Sequence, residues 1–404
     1  IRPGVAKSGM MREYILRYRN PARRRDAHPV LLEIMPETYG VMVYQEDVIK
    51  VAHYFGGLSL GEADMLRRGM SGKFRSREEF LKVKNQFFDN CKNSGKDDKL
   101  SAEIWRQIES FAGYAFAKGH SASYAVESYQ SLFLKAYYPL EYMVATINNS
   151  GGFYRPEYYL HEARMHGAKI HPPGINKSYY QNHIEGNNIY LGFMMLYAFE
   201  AQNAKRIIVE REKHGLFVDL DDFIERVPVS LEQITLLIKV NAFQFTGRNK
   251  RELLWEAYMK VNKIPMEEHV LTLFRSEKIT YKTPVLEISD LEDAFDQIQY
   301  LDFPLCDPFD LLAEPVSPAL CARDLEAYTG KTVTVFGYYV TVKKTLTSKG
   351  ELMYFGTFTD KNGDHIDTVH FPTAARKYLF RGRGVYKLTG KVTEKFDCMS
   401  KEVA

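Results

Sequence analysis

The sequence predicts a multidomain protein, mainly α-helical over most of its length and closing in an all-β barrel of the OB-fold type. Three observations carry that expectation. Apolar residues recur at helical spacing, as in Ile104, Trp105, Ile108 and Phe111 and again in Tyr129, Leu132, Phe133 and Ala136. From Lys331 the period changes to that of a strand: Val333, Val335 and Gly337 alternate, as do Tyr354, Gly356 and Phe358. Between the two regimes, residues 262–320 are interrupted by Pro265, Pro284, Pro304, Pro308, Pro315 and Pro318 and read as a connector.

With 404 residues, 45% of them apolar and 13% aromatic, the chain has material for several cores. A formal net charge of +3 neither favours nor excludes nucleic acid, so the distribution of charge must decide. Residues 1–25 carry Arg2, Lys7, Arg12, Arg17, Arg19 and Arg23 to Arg25 against a single acid, Glu13, which makes a basic arm. Cys91, Cys306, Cys321 and Cys398 form no close pair, as expected of free thiols in a reducing compartment. The longest purely apolar run, Phe193 to Phe199, is far shorter than the roughly 20 residues of a membrane span. With no signal pattern at the start, a cytoplasmic protein without a membrane partner is expected. An opening on Ile1, directly in a basic and motif-like context, reads as a fragment whose N-terminal portion is absent.

Ser59-Leu60-Gly61-Glu62 is a capping box, with Leu58 and Ala63 placed to staple the helix that follows. That helix ends on Arg67 and Arg68 before Gly69 and Gly72, with Lys73 just beyond. Cations there suit the helix dipole, and the planar guanidinium fork also suits phosphate oxygens. Further on, Phe111 to Met143 reads as two helices flanking a Lys118-Gly119-His120-Ser121 turn, the second broken by Pro139. Lys118, His120 and the hydroxyls of Ser121 and Ser123 would gather near a helix N-terminus, which favours an anion, although a plain glycine turn between packed helices explains the same residues.

Two motifs invite a metal and are set aside. His161 and His166 are five apart, so an ideal helix separates them by about 140°, unlike a true H-E-x-x-H pair. Asp219, Asp221 and Asp222 look like the carboxylates of a two-metal site, but the segment after them is helical, and Asp221 or Asp222 is better used as an N-cap. Neither Gly72-Lys73 nor Gly330-Lys331 follows a glycine at phosphate-loop spacing.

In the β region, Asp360 to Gly363 is a turn, a short helix is expected near Thr373 to Leu379, and strands at Val385 to Val392 and about Phe396 to Val403 complete a five-stranded plan. Lys343, Lys344 and Lys349 fall in the first hairpin, with no acid over residues 331–350. With Tyr338, Tyr354 and Phe355 as candidate faces, this pairing of cations and rings suits single-stranded nucleic acid, although alternation turns about half of the rings into the core. A barrel serving only as a spacer is the rival reading.

The central stretch, FAGYAFAKGHSASY from Phe111, resembles the F-A-x-Y-x-F-N-K-S-H-x-x-x-Y signature of the alpha subunit of bacterial DNA polymerase III, the C-family polymerases. Thr38-Tyr39-Gly40-Val41, Tyr44-Gln45-Glu46 and the run Glu62 to Arg68 are similar to a second block of that family. Ala117 and Gly119 depart from it, replacing asparagine and serine. His171 to Asn176 resembles the family's exit from the fingers. Ile189 to Arg211 corresponds to its first helix-hairpin-helix element, although Met194 to Phe199 stands where hairpin glycines are usual, which reads as packing rather than a duplex clamp. Leu237 to Phe243 with Gly247 to Arg251, then Asp307-Pro308, and Lys349-Gly350 with Met353, match later runs.

The resemblance implies a fingers domain over 1–175, a helix-hairpin-helix DNA-binding region over 176–262, a connector over 263–325 and an OB-fold nucleic-acid-binding domain over 326–404. It implies template-directed DNA synthesis by the full-length protein, with Mg2+ held in a palm domain that precedes the fingers and is not found in this chain. No catalytic or metal residue is therefore assigned, and the fragment alone is expected to be inactive. Incoming deoxynucleoside triphosphate would be bound by Arg67, Arg68, Lys73, Lys118 and His120. DNA would be bound by Arg248, Lys250, Arg251, Lys343, Lys344, Lys349 and Tyr354. Implied partners are primer-template, single-stranded DNA and other replisome subunits such as the sliding clamp. Replicative and error-prone paralogues stay open, as does a non-catalytic nucleic-acid-binding protein that retains polymerase modules.

Overall fold

The computed structural model describes residues 10–68, 77–110, 117–261, 289, 291–314 and 320–393. These fall in two compact units, Ile1–Phe133 and Leu134–Ala404. Phe111 and Lys73 lie outside the described residues, as does the expected last strand from Phe396.

The first unit is helical. Its elements are α1 (Met10–Arg19), a 3-10 turn (Pro21–Asp26), α2 (Pro29–Ile34), α3 (Gln45–Lys50), α4 (Leu60–Arg68), α5 (Arg77–Asn93), α6 (Asp98–Ser110) and α7, which starts at Lys118 and runs to Tyr137. The capping box forms as expected: the Ser59 amide donates to Glu62 Oε2 at 2.8 Å, and the Glu62 amide donates to Ser59 Oγ at 3.3 Å. Leu66 from α4, Phe87 from α5 and Ile104, Trp105 and Ile108 from α6 close one core with Val51, Phe55 and Leu58. Ile104, Trp105 and Ile108 are buried because their spacing puts them on one face of α6.

The second unit opens with α8 (Pro139–Asn148) and α9 (Pro156–Met165). Tyr138 leaves helical geometry, at φ −135° and ψ 56°, because Pro139 disfavours a helical residue before it. A small sheet follows, of β1 (Lys169–His171), β2 (His183–Glu185) and β3 (Asn188–Tyr190), in the order β1-β3-β2, with β1 parallel and β2 antiparallel to β3. The helices α10 (Ala201–His214), α11 (Leu220–Arg226), α12 (Leu231–Lys239), α13 (Lys250–Val261) and α14 (Glu292–Leu301) share one core with the residues before them, and Ile175 lies fully buried within it.

The β region is a curled antiparallel half-barrel of OB-fold type, in the order β6-β5-β4-β7, from β4 (Thr332–Leu346), β5 (Leu352–Thr359), β6 (His365–His370) and β7 (Val385–Lys391), with α15 (Pro372–Lys377) before β7. A register shift between Tyr339 and Thr341 marks an irregularity in β4, of the kind that bends a strand. Its core is Val335, Phe358 and Ile366. Gly337 permits that core to close, since a Cβ there would lie 2.6 Å from Phe358 Cβ. Among the described residues no helix is long and apolar enough to cross a membrane.

Candidate nucleic-acid interface

In the first unit, the two sequence blocks around Arg67 and Lys118 meet at the start of α3. Asp47 caps that helix by accepting from the Val43 and Tyr44 amides, each at 2.9 Å, which leaves Gln45 and Glu46 available for other partners. Gln45 Oε1 accepts from Arg67 Nη1 at 3.2 Å, and Glu46 Oε2 accepts from the Lys118 amide at 2.8 Å. Lys118 and His120 therefore lie in the first turn of α7, not in a turn between two helices, and the orphan amide of that turn is held by a carboxylate. Gln45, Glu46 and Glu37 are not among the site residues that the sequence predicts. The run Tyr44-Gln45-Glu46 was the signal, but nothing in it says that α7 returns there.

The cations of this cluster are paired. Arg67 and Arg68 share Asp64, at 2.7 and 3.0 Å. Lys118 Nζ pairs with Glu37. Their mutual hydrogen bond holds the Glu37 carboxyl below its usual range and raises the lysine. Lys118, Glu37 and Arg68 are exposed, whereas Arg67 and Asp64 are half-buried; exposed pairs are weak in water, so a polyphosphate can compete for Lys118 and Arg68. His120 is exposed, with its ring 5.9 Å from that of Tyr124.

In the second unit the cations expected to touch DNA divide. Lys250 is buried between Asp293 Oδ1 at 2.6 Å and Asp296 Oδ2 at 2.8 Å, and so faces inward rather than toward a phosphate backbone. Arg251 makes a fork on Glu292, with Nη2 at 2.8 Å and Nε at 3.0 Å. Arg248 pairs with Glu256. The carboxylates that satisfy them lie on α13 and α14, which the sequence does not show as neighbours.

On the half-barrel, Lys343, Lys344 and Lys349 are all exposed. Tyr354, expected to face DNA, instead points into the barrel: it is 4% exposed and meets Phe380 edge-on at 5.3 Å. Strand alternation then sends its neighbour Phe355 outward, where it is 44% exposed and opposite Lys343 in the β4–β5 register. Tyr338 is also committed, its hydroxyl donating to Glu157 Oε1 at 2.6 Å. Glu157 lines a cavity of about 300 Å³ with Tyr338, Arg155 and Arg383, and burial raises its carboxyl above the usual range.

The three aspartates near residue 220 do not fit a metal pair. Asp219, not Asp221 or Asp222, is the N-cap of α11, accepting from the Asp222 amide at 2.8 Å. Asp221 pairs with Lys260, and Asp222 Oδ2 with Arg226 at 2.9 Å. Each carboxylate is used within the fold. His161 Nε2 lies 3.2 Å from the Gly363 carbonyl and His166 Nδ1 2.8 Å from the Glu162 carbonyl, on separate partners.

Comparison with known proteins bears on the same blocks. Residues 1–95 match the finger domain of bacterial DNA polymerase III alpha subunits, and residues 167–253 match a helix-hairpin-helix motif. The DNA polymerase III subunit alpha of Aquifex aeolicus is 30% identical over 381 residues, which cover 92% of this chain and 32% of that protein. The chain belongs to the bacterial DNA polymerase III alpha family. Within that family, the subunit alpha of Staphylococcus aureus is 31% identical over 395 residues, covering 94% of this chain and 36% of its own length. The error-prone DNA polymerase of Vibrio parahaemolyticus is 32% identical over 276 residues, covering 67% and 27%. The chain thus spans about a third of the length of these family members.

Proposed function

We propose that the chain is the nucleotide- and DNA-binding portion of a DNA polymerase III alpha subunit, its catalytic carboxylates supplied by a palm that precedes it. In this reading residues 1–175 serve as fingers, 176–262 as the helix-hairpin-helix region, 263–325 as connector and 326–404 as an OB-fold for single-stranded DNA. The supporting observation is the meeting of Arg67 and Lys118 at Gln45 and Glu46, which gathers cations from distant segments beside one helix start. Weakly paired cations on fixed helices suit a triphosphate, because they hold its charge without forming bonds to it. Any magnesium would be bound by the palm, and no step is assigned to a metal in this chain.

In the full-length polymerase, R67A/R68A should raise the nucleotide KM and lower kcat/KM by tenfold or more, since a charged phosphate contact contributes about 1.5–3 kcal/mol. The melting temperature should hardly move. An unchanged KM would remove the nucleotide role. The purified chain alone should not extend a primer with magnesium, and measurable extension would refute the division of labour.

A further inference from the structure

Residues 10–28 carry six arginines against Glu13 and Asp26. Two of the six are structural. Arg17 Nη1 donates to the Tyr39 carbonyl at 2.8 Å while its Nε meets Glu13 at 3.0 Å, and Arg24 lies 4.0 Å over the Tyr39 ring with its Nε donating to the Arg17 carbonyl at 3.0 Å. A third, Arg23, makes a long pair of 3.6 Å with Asp26. The other three, Arg12, Arg19 and Arg25, are exposed and meet no carboxylate among the described residues. Arg12 and Arg19 are seven apart, so they share one face of α1.

The rings beside them form a fixed cluster. Tyr14 stacks on Tyr39 with centroids 5.8 Å apart and on Tyr18 at 6.5 Å. Tyr39 holds a left-handed backbone, at φ 55°, and is tied from two sides by Arg17 and Arg24. Tyr18 closes the cluster, its ring 6.4 Å from that of Tyr39, and is 62% exposed.

We propose that α1 and the turn after it bind single-stranded nucleic acid, with Arg12, Arg19 and Arg25 on the backbone phosphates and Tyr18 stacking on an unpaired base. The inference rests on the DNA-binding reading above and adds a surface to it. Unpaired guanidiniums release counterions on meeting phosphates. A ring held in a cluster loses little freedom when a base stacks on it. A duplex conceals its base faces, so the exposed ring favours a single strand.

The test titrates labelled oligothymidine, and a duplex of equal length, against the full chain across a salt series. R12A/R19A/R25A should flatten the slope of log affinity against log salt by about two units, while R12K/R19K/R25K keeps the parental slope. Y18A should weaken oligothymidine binding about tenfold with the slope unchanged. Melting curves equal to the parent's would verify that the variants fold. If R12A/R19A/R25A does not fold, R12Q/R19Q/R25Q, which also removes the charge, and Y18A decide. Equal slopes for parent and triple alanine variant, or Y18A binding like the parent, would overturn this surface alone. A parent that binds no DNA at low salt would overturn the wider DNA-binding reading with it.

Discussion

Arg12, Arg19 and Arg25 stand without a carboxylate among the described residues, whereas Arg248, Lys250 and Arg251 each meet at least one. In sequence the two sets look alike: short basic runs beside aromatic and polar residues. For Lys250 and Arg251 the difference is made by α14, whose first turns bring Glu292, Asp293 and Asp296 to the start of α13, and for Arg248 by Glu256 within α13. Local charge density therefore does not identify a phosphate-binding cation. What matters is whether the fold has already supplied a partner, and for a buried cation it must, because an unpaired buried charge is strongly destabilising.

The largest effect should come from breaking that buried arrangement. Lys250→Met leaves Asp296 mostly buried with only the longer contact to Lys239 at 3.6 Å, and should destabilise the second unit by about 3 kcal/mol in chemical denaturation. Adding Asp296→Asn should recover part of the loss. If Lys250 serves DNA instead, the single variant would keep its stability and flatten the salt dependence of DNA binding.

The architecture was legible where a regularity runs long enough to accumulate. The strand period from Val333, the capping box at Ser59 and the proline break at Pro139 each reflect a local rule, and each appears in the structure. The strands β1 to β3 are three residues long, too short to show alternation, and were not foreseen. At the sites, residue types were legible and their partners were not. Whether Tyr354 or Phe355 faces outward turns on one residue of register, and the cap falling on Asp219 rather than Asp221 or Asp222 turns on where α11 starts.

The same contrast between buried and exposed charge separates two carboxylates, and pH should reveal it. Glu157 titrates above the ordinary range because burial disfavours its charge, even with the Tyr338 hydroxyl and Arg383 beside it. Over the window between its ordinary and its raised pKa the folded state binds more protons than the unfolded state. Stability from this group is therefore present at low pH and lost as pH rises through the raised value. Parent and E157Q should differ accordingly, the parent gaining relative to the variant as pH falls from neutral. A difference independent of pH would mean that Glu157 ionises as freely as an exposed carboxylate.

Glu37 should give the smallest effect and the opposite sign. Its carboxyl is held below the usual range by the hydrogen bond from Lys118, so the pair's contribution is present above the ordinary carboxylate range and is lost as pH falls through the lowered value. Both side chains are exposed, and solvent screens the pair, so Glu37→Gln should leave the melting temperature nearly unchanged. Binding should respond instead. Freed from Glu37, Lys118 keeps its charge and stays in the first turn of α7, where the Glu46 carboxylate still holds the amide. E37Q should then bind inorganic triphosphate more tightly, by less than about fivefold, with the gain shrinking as salt rises. The double variant E37Q/K118A should lose the gain. If E37Q and the parent bind triphosphate alike at low salt, Lys118 does not take part in anion binding at this helix start, and the cluster reduces to Arg67 and Arg68.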